Sequence, residues 1–316
     1  MSGVLVLGGG PDREREVSIN SSRAIASALE RAGHRVHYEL IGRITEDELR
    51  RLPGDVVFPA LHGAFGEGGP LQDLLERDGR PFVGSRAPGA RVAMDKVATK
   101  MCASRLGIPT AEACVVNRHD AEVAVGLPLV MKPVHDGSSV GLHLCEDRAA
   151  YQRARTEVDR DIDENPGRAY MAERLIRGRE LTQSLIVGEG GEIEALDAIE
   201  IVPKSGPYDY DAKYIRNDTV YRVAPALPEG VAESLKAWSL SLARGIGVRH
   251  LCRVDYLLEF GTDRPWLLEL NTMPGFTDHS LVPMAARARG LEMPALCDRL
   301  VRAATEGVRA AGVPSR

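Results

Sequence analysis

The stretch RVDYLLEFGTDRPWLLELNTMPGFTDHSL, residues 253–281, decides how the rest of the chain is read. Residues 253–260 and 266–271 are apolar strand patterns, and GTDR between them is a turn signal. Side chains two residues apart share one face of a strand. Arg253 and Asp255 therefore point the same way, as do Glu269 and Asn271. A hairpin centred on Thr262 sets Asp255 opposite Glu269, and Arg253 opposite Asn271. Adjacent carboxylates repel unless a cation or a shared proton joins them. An oxygen-only set without His or Cys suits Mg²⁺, which usually brings phosphates with it. The competing reading of the hairpin alone is a solvated polar face with both acids outward.

Composition bounds the function classes. The 316 residues suffice for two or three domains and a substantial core. A hydrophobic content of 44% with 27% charged residues is ordinary for a soluble globular chain. The net charge of −5 gives no electrostatic case for nucleic acid or a membrane surface. The five cysteines are odd in number, scattered and never in CxxC spacing, which favours free thiols in a reducing compartment. The apolar start VLVLGGG is too short for a signal peptide and lacks a basic leader, and no apolar run reaches membrane-spanning length. The expectation is a soluble cytoplasmic protein.

From the other end, residues 4–7 are a buried-strand pattern running into Gly8-Gly9-Gly10, then a helix stopping at Gly33, then a strand over 35–41. Strand, glycine turn, helix and strand begin a parallel α/β unit, so the fold class is α/β, with α+β character in the C-terminal half. The triplet lacks the third glycine of a dinucleotide fingerprint; close backbone approach to a substrate and a plain tight turn both remain open. Thr45-Glu46-Asp47-Glu48 is a capping box, and the strand over 55–61 runs directly into His62. Open α/β sheets bind ligands at the carboxyl ends of their strands, where His62 and the acids around Glu14 fall.

Residues 80–84 read as a short closing strand, and Pro88 and Gly89 mark a boundary. A single helix over 92–106 carries Lys96 and Lys100. A strand over 127–132 ends in Lys132-Pro133, followed by HDGSSVG (135–141) and a returning strand over 142–144. A glycine-serine tip beside a lysine can cover phosphate with N–H groups and hydroxyls. The same tip matches GxSxG, but a nucleophile elbow needs a helix next, and a strand pattern follows. Residues 169–175, 180–187 and 192–200 read as strands, and 228–246 and 294–311 as helices. Between them KSGPYDYDAKY (204–214) is a polar, aromatic loop of the kind that usually carries function.

EREVS (14–18), ALHG (60–63), MDK (94–96), KP…GSSVG (132–141), YDYDAKY (208–214), RVD (253–255) and ELNTMPGFTDHSLVP (269–283) occur in this order. Through them the chain resembles the D-alanine–D-alanine ligase family of ATP-grasp enzymes over nearly its whole length. It departs in GEGG (66–69), where the family usually has GEDG, and in Asp73, where a Gly is usual after LQ; these should alter the first-domain loop rather than the chemistry.

The resemblance implies three domains: a substrate-binding α/β domain (1–91), a central ATP-grasp subdomain (92–178) and a C-terminal one with metal and catalytic residues (179–316). It implies joining of two D-alanines for peptidoglycan precursors, with ATP giving ADP and phosphate through an acyl phosphate. By the same resemblance Asp255, Glu269 and Asn271 would ligate Mg²⁺, or Mn²⁺. Lys96, Lys132 and Ser139 would hold the ATP phosphates, with Lys213 on the γ-phosphate, and Glu173 and Glu180 would lie at adenine and ribose. Arg253 and the Gly275 N–H would stabilise developing charge. Glu14, in a set with Ser138 and Tyr214, would pair with the first D-alanine's ammonium, with His62 nearby. Ser280 and the Leu281 N–H would take the second carboxylate. Lys100 is read as a surface lysine. Homodimerisation is implied by the family, and no nucleic-acid or membrane partner is.

By the same resemblance, Tyr214 implies amide rather than ester formation. The alternatives are a ligase joining D-alanine to D-serine or D-lactate, a specialised-metabolism D-amino acid ligase, and a non-catalytic ATP-binding regulator, against which retention of Arg253 with the metal set argues.

Overall fold

The computed structural model describes residues 2–137, 140–204 and 218–310. Its first layer is a parallel three-stranded sheet, order β2-β1-β3, of β1 (Gly3–Gly9), β2 (Arg35–Ile41) and β3 (Val56–Pro59). Helix α1 (Arg15–Arg31) makes the crossover. The glycine triplet serves this turn in two ways. Gly9 and Gly10 have φ of 92° and 96°, values that suit only glycine well. Gly8 lets α1 approach, since a Cβ there would lie 2.7 Å from Ser22 Cβ. The capping box forms at the start of α2 (Glu46–Arg51), with both reciprocal hydrogen bonds between Thr45 and Glu48.

Short helices α3 (Gly63–Glu67) and α4 (Pro70–Asp78) follow. The closing strand expected over 80–84 is reduced to a single parallel bridge between Val57 and Phe82. Its exit is pinned by residues far along the chain. Gly84 N–H donates to His250 Nδ1 at 3.0 Å, and the Arg249 guanidinium donates to Gly84 O.

The single helix expected over 92–106 is two, α5 (Ala87–Met94) and α6 (Lys96–Arg105). Asp95 adopts an extended conformation and its side chain accepts from Ala98 N–H at 2.9 Å, starting a new helix. Pro88 and Gly89 do not interrupt the pattern; they lie in the first turn of α5, where proline loses no hydrogen bond.

An antiparallel four-stranded sheet, order β4-β7-β5-β6, comprises β4 (Ala113–Val115), β5 (Leu129–Pro133), β6 (His143–Cys145) and β7 (Tyr170–Arg174). Helix α7 (Arg148–Glu164) covers it through Tyr151, Ala154 and Val158. The third sheet runs β11-β10-β8-β12-β13, with β9 added to β8. Its strands are β8 (Gly178–Val187), β9 (Ile193–Ala195), β10 (Ile199–Val202), β11 (Val220–Val223), β12 (Leu251–Glu259) and β13 (Pro265–Asn271). The strand expected over 192–200 is thus split into β9 and the start of β10. Helix α8 (Val231–Ile246) packs on one face, against Cys252, Val254, Tyr256 and Leu258. Arg253, Asp255 and Leu257 alternate onto the other.

Helices α9 (Leu281–Ala288) and α10 (Met293–Ala310) return to the first layer. Leu296, Leu300 and Val301 share a core with Val4, Ile25, Leu29 and Phe58. Residues 272–280, between β13 and α9, cross the top of this core, and Phe276 sits edge-on to Phe58 at 6.0 Å. Among the described residues no helix is long and apolar enough to cross a membrane.

Phe276 is fully buried and joins the first layer to the crossing segment. Phe276→Ala should lower stability by about 3–5 kcal/mol, read as a lower midpoint in urea unfolding; a midpoint equal to that of the parent chain would contradict the packing described.

Candidate active site

The register of β12 and β13 assembles the site. Arg253 pairs with Asn271, and Asp255 with Glu269, so all four side chains share one face. Beyond Asp255 the pairing shifts by one residue, Tyr256 meeting Leu267 and Leu257 meeting Trp266. The extra residue, Leu268, forms a bulge that re-aims neighbouring side chains. It carries Trp266 to the same face as Glu269, and Leu257, Trp266, Leu268 and Glu269 line one cavity of about 790 Å³.

That cavity lies between the third sheet and the four-stranded sheet. Lys132 and Glu173 line it from one side, and Glu180, Arg253, Asp255 and Glu269 from the other. Arg253 forks onto Asp255, with Nε 2.9 Å from Oδ1 and Nη2 2.8 Å from Oδ2. Thr182 on β8 donates a further bond to Asp255 Oδ1 at 2.6 Å. Lys96 reaches across from α6, with Nζ 3.5 Å from Glu269 Oε2 and donating to Asp136 O at 2.5 Å. Asn271 Oδ1 accepts from Met273 N–H at 3.0 Å.

The donor set suits a hard divalent cation. Among the described residues no group of three or more His, Cys, Asp or Glu side chains could hold a metal alone. Two carboxylates and an amide oxygen fit Mg²⁺, which completes its shell with water or phosphate oxygens rather than an all-protein cage.

Glu173 is buried between two lysines. Lys132 Nζ pairs with its Oε1, and Lys100 Nζ lies 2.9 Å from its Oε2. Burial pushes this carboxyl up, but the two lysines outweigh that and hold it below its ordinary value. Lys100 is not the surface lysine expected: it is 6% exposed. The break at Asp95 starts α6 at Lys96, and four residues on, Lys100 shares its face.

The second half of the site is the 272–280 segment against the first layer. His62 is buried, with Nδ1 2.9 Å from Met273 O and Nε2 3.4 Å from Ser21 Oγ. Only an N–H can satisfy the carbonyl, so Nδ1 carries the proton and Nε2 accepts. Burial lowers its pKa to about 4, and Arg253 adds to the shift against the Met273 bond; the ring is neutral at pH 7. Ser21 Oγ also accepts from Phe276 N–H at 3.0 Å. A Cβ on Gly275 would lie 3.1 Å from Ser280 Oγ, and Ser280 Oγ accepts from Thr277 N–H at 2.9 Å. Ser280 is the N-cap residue of α9 but its side chain makes no capping bond. Leu281 opens the helix, where N–H groups have no intrahelical acceptor.

Glu14 stands at the N-cap position of α1 without a side-chain capping bond and approaches Gly137, whose added Cβ would lie 2.8 Å from Glu14 Oε1. Near it stands Glu67, which the sequence reading passed over within GEGG. Burial first, then the Glu14 carboxylate, push Glu67 up to about 8, against the Gly63 N–H bond and Arg253. Ser21 was also missed, because a serine in an amphipathic helix carries no signal of its own. Ser138, Ser139, Lys213 and Tyr214 lie outside the described residues. The element after the glycine-serine loop is the strand β6, so the nucleophile-elbow reading is dropped.

A family model described as D-ala D-ala ligase C-terminus matches residues 103–302. A D-alanine–D-alanine ligase of Bordetella avium is 39% identical over 313 residues, covering 96% of this chain and 95% of that one. The chain belongs to the D-alanine–D-alanine ligase family. A relative with the same name from Ralstonia pickettii is 40% identical over 294 residues, 90% of this chain and 86% of that one. The solved D-alanine–D-alanine ligase of Coxiella burnetii matches with a TM-score of 0.82 at 26% identity, covering 98% of this chain and 95% of that one. The structure of the Bacillus anthracis ligase complexed with ATP has the same fold, with a TM-score of 0.79 at 24% identity. The architecture is accordingly the ATP-grasp fold with an N-terminal parallel α/β layer.

The Glu67 shift gives a pH test. Between about 4.5 and 8 the folded chain holds a proton that the unfolded chain releases, so Glu67 lowers stability as pH rises through that window. Glu67→Gln removes the effect, and its melting temperature relative to the parent should rise from pH 5 to pH 8. A difference independent of pH would contradict the buried, protonated carboxyl.

Proposed function

We propose that the chain joins two D-alanines to D-alanyl-D-alanine, converting ATP to ADP and phosphate, for peptidoglycan precursor synthesis in the cytoplasm. The observation that carries this reading is the continuity of two sites along one stretch. The oxygen set Asp255, Glu269 and Asn271 faces a lysine-lined cavity, and the next residues run directly over His62.

A carboxylate is a poor acyl donor because its leaving group is an oxide. Its oxygen attacks the γ-phosphorus, the bond to the ADP oxygen breaks, and an acyl phosphate forms. The second amine then attacks the carbonyl carbon, loses a proton, and phosphate departs. Lys96 and Lys132 hold the phosphates, joined by Ser139 and Lys213, and Glu180 takes the ribose beside Glu173 at the base. A bound Mg²⁺ or Mn²⁺, held by Asp255, Glu269 and Asn271, supplies neutralisation of phosphate charge.

Arg253 lines this cavity, and its fork on Asp255 fixes the angle at which the guanidinium meets developing negative charge. The Gly275 N–H serves the same charge, and absence of a side chain there leaves room beside Ser280. Glu14 pairs with the first ammonium together with Ser138 and Tyr214, while neutral His62 orients the same substrate without adding charge. Ser280 and the Leu281 N–H receive the second carboxylate. These roles divide naturally over regions 1–91, 92–178 and 179–316, and the working form is proposed to be a homodimer.

Asn271→Leu should lower turnover by about 100-fold or more. Ser280→Ala should raise KM for the second D-alanine by roughly tenfold with a smaller change in kcat. Both are read by phosphate release from ATP across D-alanine, D-serine, D-lactate and L-amino acids. Release that depends on an amine other than D-alanine would move the assignment to another D-amino acid ligase. ATP binding without amine-dependent release would make the chain a nucleotide-binding regulator.

A further inference from the structure

Lys132 faces two demands at once. On the reading above it holds a nucleotide phosphate, yet its Nζ pairs with Glu173 Oε1 inside a buried environment. A buried carboxylate that loses its only cation carries a large penalty. Lys132 can turn toward a phosphate only if something else keeps Glu173 compensated.

We propose that Lys100 is the positioning residue that does so, holding Glu173 ionised and in place while Lys132 engages the phosphates of the nucleotide. The geometry suits this division. Lys132 lines the cavity, whereas Lys100 stands behind Glu173 and is not part of the lining. Lys100 Nζ is fixed by Thr110 Oγ1 at 2.5 Å and Ala111 O at 3.1 Å, and lies 2.9 Å from Glu173 Oε2. The last contact is an ion pair at the distance of a charge-assisted hydrogen bond. Two neutral oxygens thus help to fix Lys100 where it supplies its charge to Glu173.

Charge counting gives the same result. Two lysines face one carboxylate, an excess of one positive charge in a buried cluster. Burial lowers the Lys100 pKa, and the Lys132 charge adds to this against the pull of Glu173. An incoming polyphosphate takes up that excess through Lys132 and leaves the Lys100–Glu173 pair neutral. Without Lys100 the cluster is a single pair, and Lys132 is retained by Glu173.

This inference rests on the ATP-site reading, and the test separates the two. The probes are KM for ATP, KM for each D-alanine, and competition against ATP by inorganic tripolyphosphate, which has no base. Lys100→Met should raise KM for ATP and weaken tripolyphosphate inhibition by roughly tenfold or more, while both D-alanine KM values change by no more than about twofold. Lys100→Arg should restore both nucleotide readouts. In Lys100→Met/Glu173→Gln the carboxylate demand is gone, so KM for ATP should equal that of Glu173→Gln alone. This comparison does not require the Lys100→Met single variant to fold. A double variant markedly worse than Glu173→Gln, or tripolyphosphate inhibition unchanged by Lys100→Met, would overturn the role of Lys100. If Lys132→Met also leaves tripolyphosphate inhibition unchanged, the ATP-site reading itself fails.

Discussion

Asp255 and Glu269 face each other across one rung of a hairpin, and two carboxylates so placed need positive charge close by. In this structure Arg253 supplies it to Asp255 from the same strand, and Lys96 supplies it to Glu269 from α6. The second cation comes from another part of the chain, so the acid pair helps fix α6 against the hairpin on which it packs. The break at Asp95 follows from the same need. An unbroken helix over 92–106 would not begin a first turn at Lys96, and the N-cap at Asp95 aims that residue into the cavity.

Much of this was legible in the sequence because period two is a strict rule. The pairing of Arg253 with Asn271 and of Asp255 with Glu269 follows from counting about Thr262, and the structure has it. The count succeeds despite an irregular turn end. From Tyr256 onward the pairing is one residue out, and Leu268 absorbs the difference. A bulge leaves no residue signature, so the positions of Trp266 and Leu268 on the cavity wall could not be read. The capping box at Thr45 was legible for the opposite reason, since both its bonds are local.

What escaped was set by distant partners. Lys100 reads as a surface lysine because lysine usually is one. Its burial depends on Glu173, which is brought beside it only when β7 pairs with β5. Ser21 and Glu67 escaped likewise: each acquires its role from residues outside its own element, Ser21 from His62 and Phe276, Glu67 from Glu14. The strand over 192–200 was divided, and β4 and β11 were missed; both are short and partly exposed, without the buried apolar run that marks β3 and β5.

The segment leaving β13 ties these parts together. Asn271 Oδ1 accepts from Met273 N–H, Met273 O accepts from His62, Phe276 N–H donates to Ser21, and Thr277 N–H donates to Ser280. Gly275 lies within this series with fixed points on either side. A backbone N–H held this way needs no reorganisation when charge develops before it, which is the condition for electrostatic stabilisation to be effective. The anchor on one side is the oxygen set of β13, and the anchor on the other is the core shared by α1, β3 and α10. A change at either anchor is therefore transmitted to Gly275 through the same few bonds. The first layer thereby holds the crossing segment at a fixed distance from the oxygen set of β13.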